Sequence, residues 1–241
     1  MEDKIKKLQE MYDKSNNIVF LGGAGVSTES GIPDFRGVDG LYNKKYDYPP
    51  ETILSNSFFK KFTKEFFKFY REKLIIHGVL PNDAHKTLAK MEEKGKLKYI
   101  VTQNIDGLHQ LAGSKNVLEL HGSIQRNYCL LCGEFYNLSY IDNSKEIPKC
   151  NKCDGIVKPD VTLYEEALNE DVVYKAIKAI SKADMLIVAG TSLLVYPAAS
   201  FIRYFKGPYL VIINTSKTSS DIYANLIIRD KVAKVLSKLN V

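Results

Sequence analysis

At 241 residues, 45% hydrophobic and 26% charged, the chain has the composition of a globular protein of one to two domains, which excludes disordered, collagenous and disulfide-stapled classes. No apolar run approaches the roughly 20 residues that span a bilayer, and the charged start Met1–Lys7 leads into no apolar core with a cleavage site, so a cytoplasmic protein without membrane contact is expected. The net charge of +6 is spread over scattered basic residues rather than a stripe, which predicts a solvated basic surface and no direct nucleic-acid binding.

In chain order, the first predicted element is a helix over residues 1–14, with Ile5, Leu8 and Met11 on one face. A strand from Asn17 to Leu21 follows and runs into Gly22-Gly23-Ala24-Gly25-Val26-Ser27-Thr28. Such a turn lets backbone amides approach a phosphate, although glycines also serve simply to turn a chain. Residues 37–80 depart from the strand and helix pattern: they hold Gly, Tyr, Lys and Pro49-Pro50, then an aromatic-rich helical segment from Phe58 to Tyr70. Its phenylalanines, Phe58, Phe59, Phe62, Phe66, Phe67 and Phe69, read as core packing.

A helix over 83–94 carries Ala84, Leu88 and Met91 after an Asn82-Asp83 start. The next two strands are Lys98 to Val101, running into Thr102-Gln103-Asn104-Ile105-Asp106, and Val117 to Leu120, running into His121-Gly122. Residues 122–160 then hold all four cysteines as two C-x-x-C pairs, Cys129/Cys132 and Cys150/Cys153, separated by 17 residues. In a reducing compartment that spacing predicts one zinc ion, and four thiolates leave no position for water, so the metal is structural. A helix over 165–182, strands Met185 to Ala189 and Tyr209 to Ile213, and a C-terminal helix with Val232, Val235, Leu236 and Leu239 complete the chain.

Strands alternating with helices predict an α/β fold: a Rossmann-like, doubly wound parallel sheet with a smaller lobe made of the helical insertion and the zinc ribbon. The large lobe is expected over about 1–36, 81–121 and 161–241, and the small lobe over about 37–80 and 122–160, in a single catalytic domain. Ligands of such sheets bind beyond the carboxyl ends of the strands, and all five predicted ends carry small or hydrogen-bonding groups. A dinucleotide dehydrogenase needs a second strand ending in an acid about 20 residues beyond its glycine turn. Here that place holds Tyr46-Asp47-Tyr48-Pro49-Pro50, whose prolines cannot sit in a buried parallel strand. Hydride-transfer chemistry is therefore disfavoured, and Asn214, after the last strand, is the better candidate for an adenosine ribose.

The run Gly23-Ala24-Gly25-Val26-Ser27-Thr28-Glu29-Ser30-Gly31-Ile32-Pro33-Asp34-Phe35-Arg36-Gly37 resembles the signature of the sirtuins, the silent-information-regulator family of NAD-dependent protein deacylases. The likeness continues through Thr102–Asp106, His121-Gly122, the two cysteine pairs, Gly190-Thr191-Ser192-Leu193 and Ile213-Asn214, in family order and over about residues 15–235. It implies a single bacterial-type catalytic domain that moves an acyl group from lysine to ADP-ribose with release of nicotinamide. The cofactors implied are NAD as co-substrate and one structural zinc; the partners are acyl-lysine proteins or peptides.

The resemblance also implies roles. His121 is the general base, as befits an imidazole near neutral pH. Of the other histidines, His77 and His85 read as structural and His109 as a cap of its turn. Asn104, the second catalytic residue, with Ile105 and Asp106 resembles the nicotinamide pocket, and Gln103 faces the neighbouring ribose. Ala24, Gly25 and Thr28 hold the pyrophosphate, Asp34, Phe35 and Arg36 form the cofactor loop, and Thr191, Ser192, Asn214 and Lys231 hold the adenosine end. Val161, Leu163 and Tyr164 take the peptide as an added strand. In that segment Lys158 stands for the common arginine and Glu165 for the common glycine, which removes a flexible backbone position beside the substrate contact. The desuccinylating branch carries Tyr-x-x-Arg; Phe67 and Tyr70 occupy that spacing here, with Arg71 adjacent, so acetyl is expected over succinyl. Protein mono-ADP-ribosylation and a non-catalytic NAD-sensing role are the alternatives.

Overall fold

The structure, a computed structural model, describes residues 1–35, 40 and 46–241. From the start the elements are α1 (Glu2–Lys14), β1 (Ile18–Gly22), two 3-10 turns, α2 (Pro50–Ile53), α3 (Asn56–Lys61), α4 (Thr63–Lys73) and α5 (Asp83–Glu93). Then come β2 (Leu97–Thr102), α6 (Leu108–Leu111), β3 (Val117–Glu119), β4 (Gly122–Cys129), β5 (Phe135–Asn137), α7 (Leu138–Asp142) and β6 (Val157–Val161). The chain closes with α8 (Glu170–Lys182), β7 (Met185–Ala189), β8 (Tyr209–Ile213), β9 (Leu226–Ile228) and α9 (Val232–Leu236).

Among the described residues the larger sheet has six strands in the order β3-β2-β1-β7-β8-β9, every pair parallel. Every residue of β1 and of β7 is buried, as their unbroken apolar runs require of strands covered on both faces. Alternate residues face opposite ways. Ile18, Phe20, Ile100, Ile187 and Val211 pack with Leu8 of α1, Leu88 of α5 and Leu236 of α9. Val19, Leu21, Val101, Val188 and Ile212 pack with Ala176 and Ile180 of α8 and with Phe201. The chain leaves β1 toward β2 on one side and meets β7 on the other, so the carboxyl ends of β1 and β7 flank the topological switch point where such sheets hold ligands.

A second, antiparallel sheet has the order β5-β4-β6. It shares a core with the aromatic insertion, in which Phe58, Phe59, Phe66, Phe67 and Tyr70 pack with Ile124, Val157, Val161 and Leu163. The expected aromatic helix is two helices meeting at Phe62, whose backbone (φ −129, ψ 52) is not helical. Ser55 caps α3 by accepting the Phe58 N–H. The helix expected from residue 165 begins only at Glu170, because the Asn169 side chain accepts the Val172 N–H and sets the start there. No helix among the described residues is long and apolar enough to cross a membrane.

Candidate functional site

The glycine turn after β1 is pressed onto the end of β7. The Gly25 N–H donates to the Gly190 carbonyl at 2.8 Å, and the Gly23 N–H to the Ala189 carbonyl at 3.2 Å. A Cβ on Gly25 would lie 2.7 Å from Gly190 Cα, and one on Gly190 (φ +59) 2.5 Å from the Val26 nitrogen, so neither position admits a side chain. The Asn82 amide holds the turn from below through the Val26 carbonyl (2.8 Å) and Ser30 Oγ (3.0 Å), while Glu29 accepts the Ala233 N–H at 2.7 Å. Ala24 and Gly25 are half-buried and Thr28 is exposed.

The remaining expected cofactor residues lie beyond the neighbouring strand ends. Thr191 is buried, and its hydroxyl accepts from Gln103 Nε2 (3.1 Å) and the Leu193 N–H (3.2 Å); Ser192 is exposed. Asn214 follows β8 and donates to the Ser216 carbonyl, and exposed Lys231 precedes α9. Phe35 is half-buried against the aromatic core, and Arg36 lies outside the described residues.

Beyond β2, Asn104, Ser27 and Asp106 form a hydrogen-bonded chain. Asn104 Nδ2 donates to Ser27 Oγ at 3.1 Å, and Ser27 Oγ donates to Asp106 Oδ2 at 2.7 Å. Asp106 Oδ1 accepts the Leu108 N–H at 2.9 Å, and the Asn104 N–H is held by Thr102 Oγ1. His121 stands beside this chain, its Nδ1 at 2.9 Å from the Gln103 carbonyl oxygen. A carbonyl only accepts, so Nδ1 carries the proton and Nε2 keeps a free lone pair. Burial pushes the imidazole below its ordinary range, partly opposed by that carbonyl. The result is a neutral imidazole with its tautomer fixed.

At His121 the chain crosses from one sheet to the other. The His121 carbonyl accepts the Thr162 N–H at 3.0 Å, and Gly122 (φ +74) lies against the Asp160 carbonyl, where a Cβ would collide. Arg126 braces the crossing, pairing with Glu119 at 2.7 Å and with Asp160 at 2.8 Å. Val161 and Leu163 are buried in the aromatic core, Tyr164 is partly exposed, and β6 is an edge strand. Glu165 takes the place of the expected glycine in this segment. It adopts the left-handed conformation (φ +73) usual for glycine, and its carboxylate accepts both the Ser57 N–H (2.8 Å) and the Ser57 hydroxyl (2.9 Å).

Phe67 and Tyr70 are buried, and Arg71 is turned to the 138–146 segment, donating to Ser144 Oγ and the Glu146 carbonyl, both at 3.0 Å. His109 is not the expected cap: it is 1% exposed, neither ring nitrogen has a partner, and Gly107 occupies the capping position of α6. Its ring packs against His85 at 4.8 Å between centroids. His85 accepts the Asn82 N–H as part of a capping box.

Cys129, Cys132, Cys150 and Cys153 converge, their sulfurs all within 4.8 Å of one another. Sulfurs of a zinc tetrathiolate, at about 2.3 Å from the metal, stand roughly 3.8 Å apart, so the cluster fits one structural zinc. Backbone N–H groups of Leu131 and Lys152 and the Tyr136 hydroxyl point at the sulfurs of Cys129 and Cys150, an outer shell typical of such sites. Ser27, Arg126 and the Glu165–Ser57 contact are what sequence reasoning missed. Ser27 stood in the quoted motif, but its partners are 77 and 79 positions away, and no local pattern carries that.

The Sir2 family model matches residues 23–197. A relative from Clostridium perfringens (strain 13 / Type A), described as an NAD-dependent protein deacetylase, is 61% identical over 242 residues, covering 99% of each chain. Another so described, from Staphylococcus aureus (strain COL), is 39% identical over 241 residues, again 99% of each. A solved Sir2 enzyme superposes with a TM-score of 0.89 at 42% identity, over 99% of this chain and 96% of that one. A Sir2 protein solved with a p53 peptide and NAD+ gives 0.85 at 37% identity, over 97% and 95%.

Proposed function

The chain belongs to the Sir2 family and is an NAD-dependent protein deacetylase; from that premise we propose that His121 Nε2 is the general base of the reaction. The single observation that carries the assignment is the Gln103 carbonyl on Nδ1, which leaves the opposite nitrogen unprotonated; Gln103 directly precedes Asn104 of the Asn104–Ser27–Asp106 chain.

The peptide and NAD+ held by a solved relative supply the substrates of the reading. The acetyl oxygen of an acetyl-lysine attacks the anomeric carbon of the nicotinamide ribose, and nicotinamide departs. Asn104, Ile105 and Asp106 hold the nicotinamide end, with Asn104 oriented by Ser27. Gln103 faces the ribose, and His121 takes a ribose hydroxyl proton; that oxygen attacks the former acetyl carbon, the lysine amine leaves with a proton, and one water supplies the oxygen that completes O-acetyl-ADP-ribose. Ala24, Gly25 and Thr28 hold the pyrophosphate, Phe35 of the cofactor loop covers the ribose face once nicotinamide departs, and Thr191, Ser192, Asn214 and Lys231 hold the adenosine end. Val161, Leu163 and Tyr164 receive the peptide along the edge of β6. The four cysteines hold zinc, whose contribution is to fix the fold of its module.

Engagement of Arg71 by Ser144 Oγ and the Glu146 carbonyl supports acetyl over succinyl, since it turns the cation next to Tyr70 toward the 138–146 segment. We assign residues 1–36, 81–121 and 161–241 to a cofactor lobe and 37–80 and 122–160 to a smaller one. A cytoplasmic location is supported by four thiols spaced for metal rather than for disulfides.

The test is nicotinamide release from NAD with an acetyl-lysine peptide, in wild type and His121→Ala. Peptide-dependent release that collapses in the variant supports the assignment; undiminished release removes His121 from the role. Mass spectrometry of the peptide separates loss of acetyl from gain of ADP-ribose. A succinyl-peptide kcat/KM above the acetyl value would overturn the acyl preference.

A further inference from the structure

Glu165 is a non-glycine residue at φ +73, a left-handed conformation that L side chains rarely adopt. Strain of that kind persists only where the surroundings hold it, and here the holder is visible. Both carboxylate oxygens are engaged by one residue: Oε2 accepts the Ser57 N–H at 2.8 Å and Oε1 the Ser57 hydroxyl at 2.9 Å. The two residues are 108 positions apart, so the contact ties the segment after β6 to the helical insertion.

The flanking residues are tied as well. The Tyr164 N–H donates to the Leu54 carbonyl and its own carbonyl accepts the Asn56 N–H, both at 3.0 Å. Glu166 Oε2 accepts the Leu163 N–H at 2.8 Å and pairs with Lys158, which also donates to the Val161 carbonyl. Thr162 in turn donates to the His121 carbonyl. A single stretch of backbone therefore reaches from the base to Glu165, and its far end is anchored by the Glu165 carboxylate.

We propose that Glu165 is a positioning residue for the peptide substrate: by clasping Ser57 it fixes the 161–164 backbone in the arrangement that receives the acetyl-lysine peptide. The proposal rests on the reading that Val161, Leu163 and Tyr164 take the peptide. Glu165 does not contact the reacting atoms, so its loss acts on peptide affinity and not on NAD or the chemical step.

The test is steady-state kinetics of the zinc-loaded full chain, with acetyl-peptide and NAD varied separately. Glu165→Ala raises the peptide KM about tenfold, the scale of a lost charge-assisted hydrogen-bond pair, with kcat and the NAD KM within about twofold. Glu165→Gln, whose amide can accept the Ser57 N–H and donate to its hydroxyl, restores most of the affinity. Ser57→Ala, which removes only the hydroxyl, gives a smaller rise, and adding it to Glu165→Ala changes nothing further. Should Glu165→Ala melt below the assay temperature, the Ser57→Ala and Glu165→Gln arms decide. An unchanged peptide KM in folded Glu165→Ala, or a fall in kcat without a change in peptide KM, overturns the proposal. Tyr164→Ala tests the premise separately. If it raises the peptide KM while Glu165→Ala does not, only the clasp is wrong; if neither variant does, the segment does not bind the peptide.

Discussion

Burial is the largest influence on the His121 imidazole, and it favours the neutral ring; the Gln103 carbonyl opposes it only partly. In the proposed role the neutral form is the base, so a lowered pKa preserves activity as pH falls. The acid limb of kcat/KM is therefore expected below the ordinary imidazole value of 6.5, and a pH–rate profile with saturating NAD reads it directly. His121→Ala is expected to lower kcat by roughly 10²–10⁴-fold, the contribution of a positioned base, while NAD still binds by calorimetry. Ser27 is the joint between Asn104 and Asp106 and is wholly buried. Ser27→Ala leaves Asp106 Oδ2 and the Asn104 amide without that partner, and kcat/KM for NAD is expected to fall by about tenfold or more, with the peptide KM unmoved.

At the scale of elements, the meeting of the β1 turn with the β7 end is a backbone-to-backbone contact. Gly190→Ala puts a methyl 2.5 Å from the Val26 nitrogen and strains a left-handed residue, so the turn must move off β7. Loss of NAD affinity together with a lowered melting temperature is expected, read by calorimetry and thermal denaturation. The zinc module behaves differently. Cys150→Ser, or chelation, is expected to abolish peptide-dependent turnover by releasing the strands β4 and β6 that begin and end beside His121, because metal binding is folding energy in such modules. The strands β1, β7 and β8 were legible because each is an unbroken apolar run, and the cysteines because their spacing is itself the chemistry. β9 was not: three residues, Leu226–Ile228, give no period to detect. The sequence shows at Glu165 the missing glycine but not its partner Ser57, 108 positions away.

Taken whole, the molecule keeps two histidines uncharged in its interior. Burial lowers His85 to about 4 and His109 to about 3, each ring also facing the other, with Asp106 opposing the shift at His85. The unfolded chain protonates these rings near the ordinary 6.5, so between that value and about 3 it binds protons that the native state refuses. Stability is full above about 6.5 and is lost as pH falls through that window. His109→Leu removes one of the two groups, and the drop in melting temperature from pH 7.5 to pH 5 is expected to shrink relative to wild type. Nothing in the sequence announced the pair. His85 and His109 lie 24 positions apart, and only the packing of α5 against α6 brings them into contact.

The central place of β1 in the larger sheet also governs how the chain is assembled in time. β1 leaves the ribosome well before its partners, for β2 on one side and β7 on the other come about 80 and 167 residues later. α1 is likewise held by the far end, through Lys4 to the Ile227 carbonyl and Gln9 to Asn240. The wholly buried apolar strand β1 thus waits, uncovered on one edge, until β7 has been synthesised. Such non-local pairing slows folding and leaves the growing chain open to aggregation. Fragments ending before Met185 are expected to be insoluble, and the nascent chain to depend on chaperones for the length of that delay.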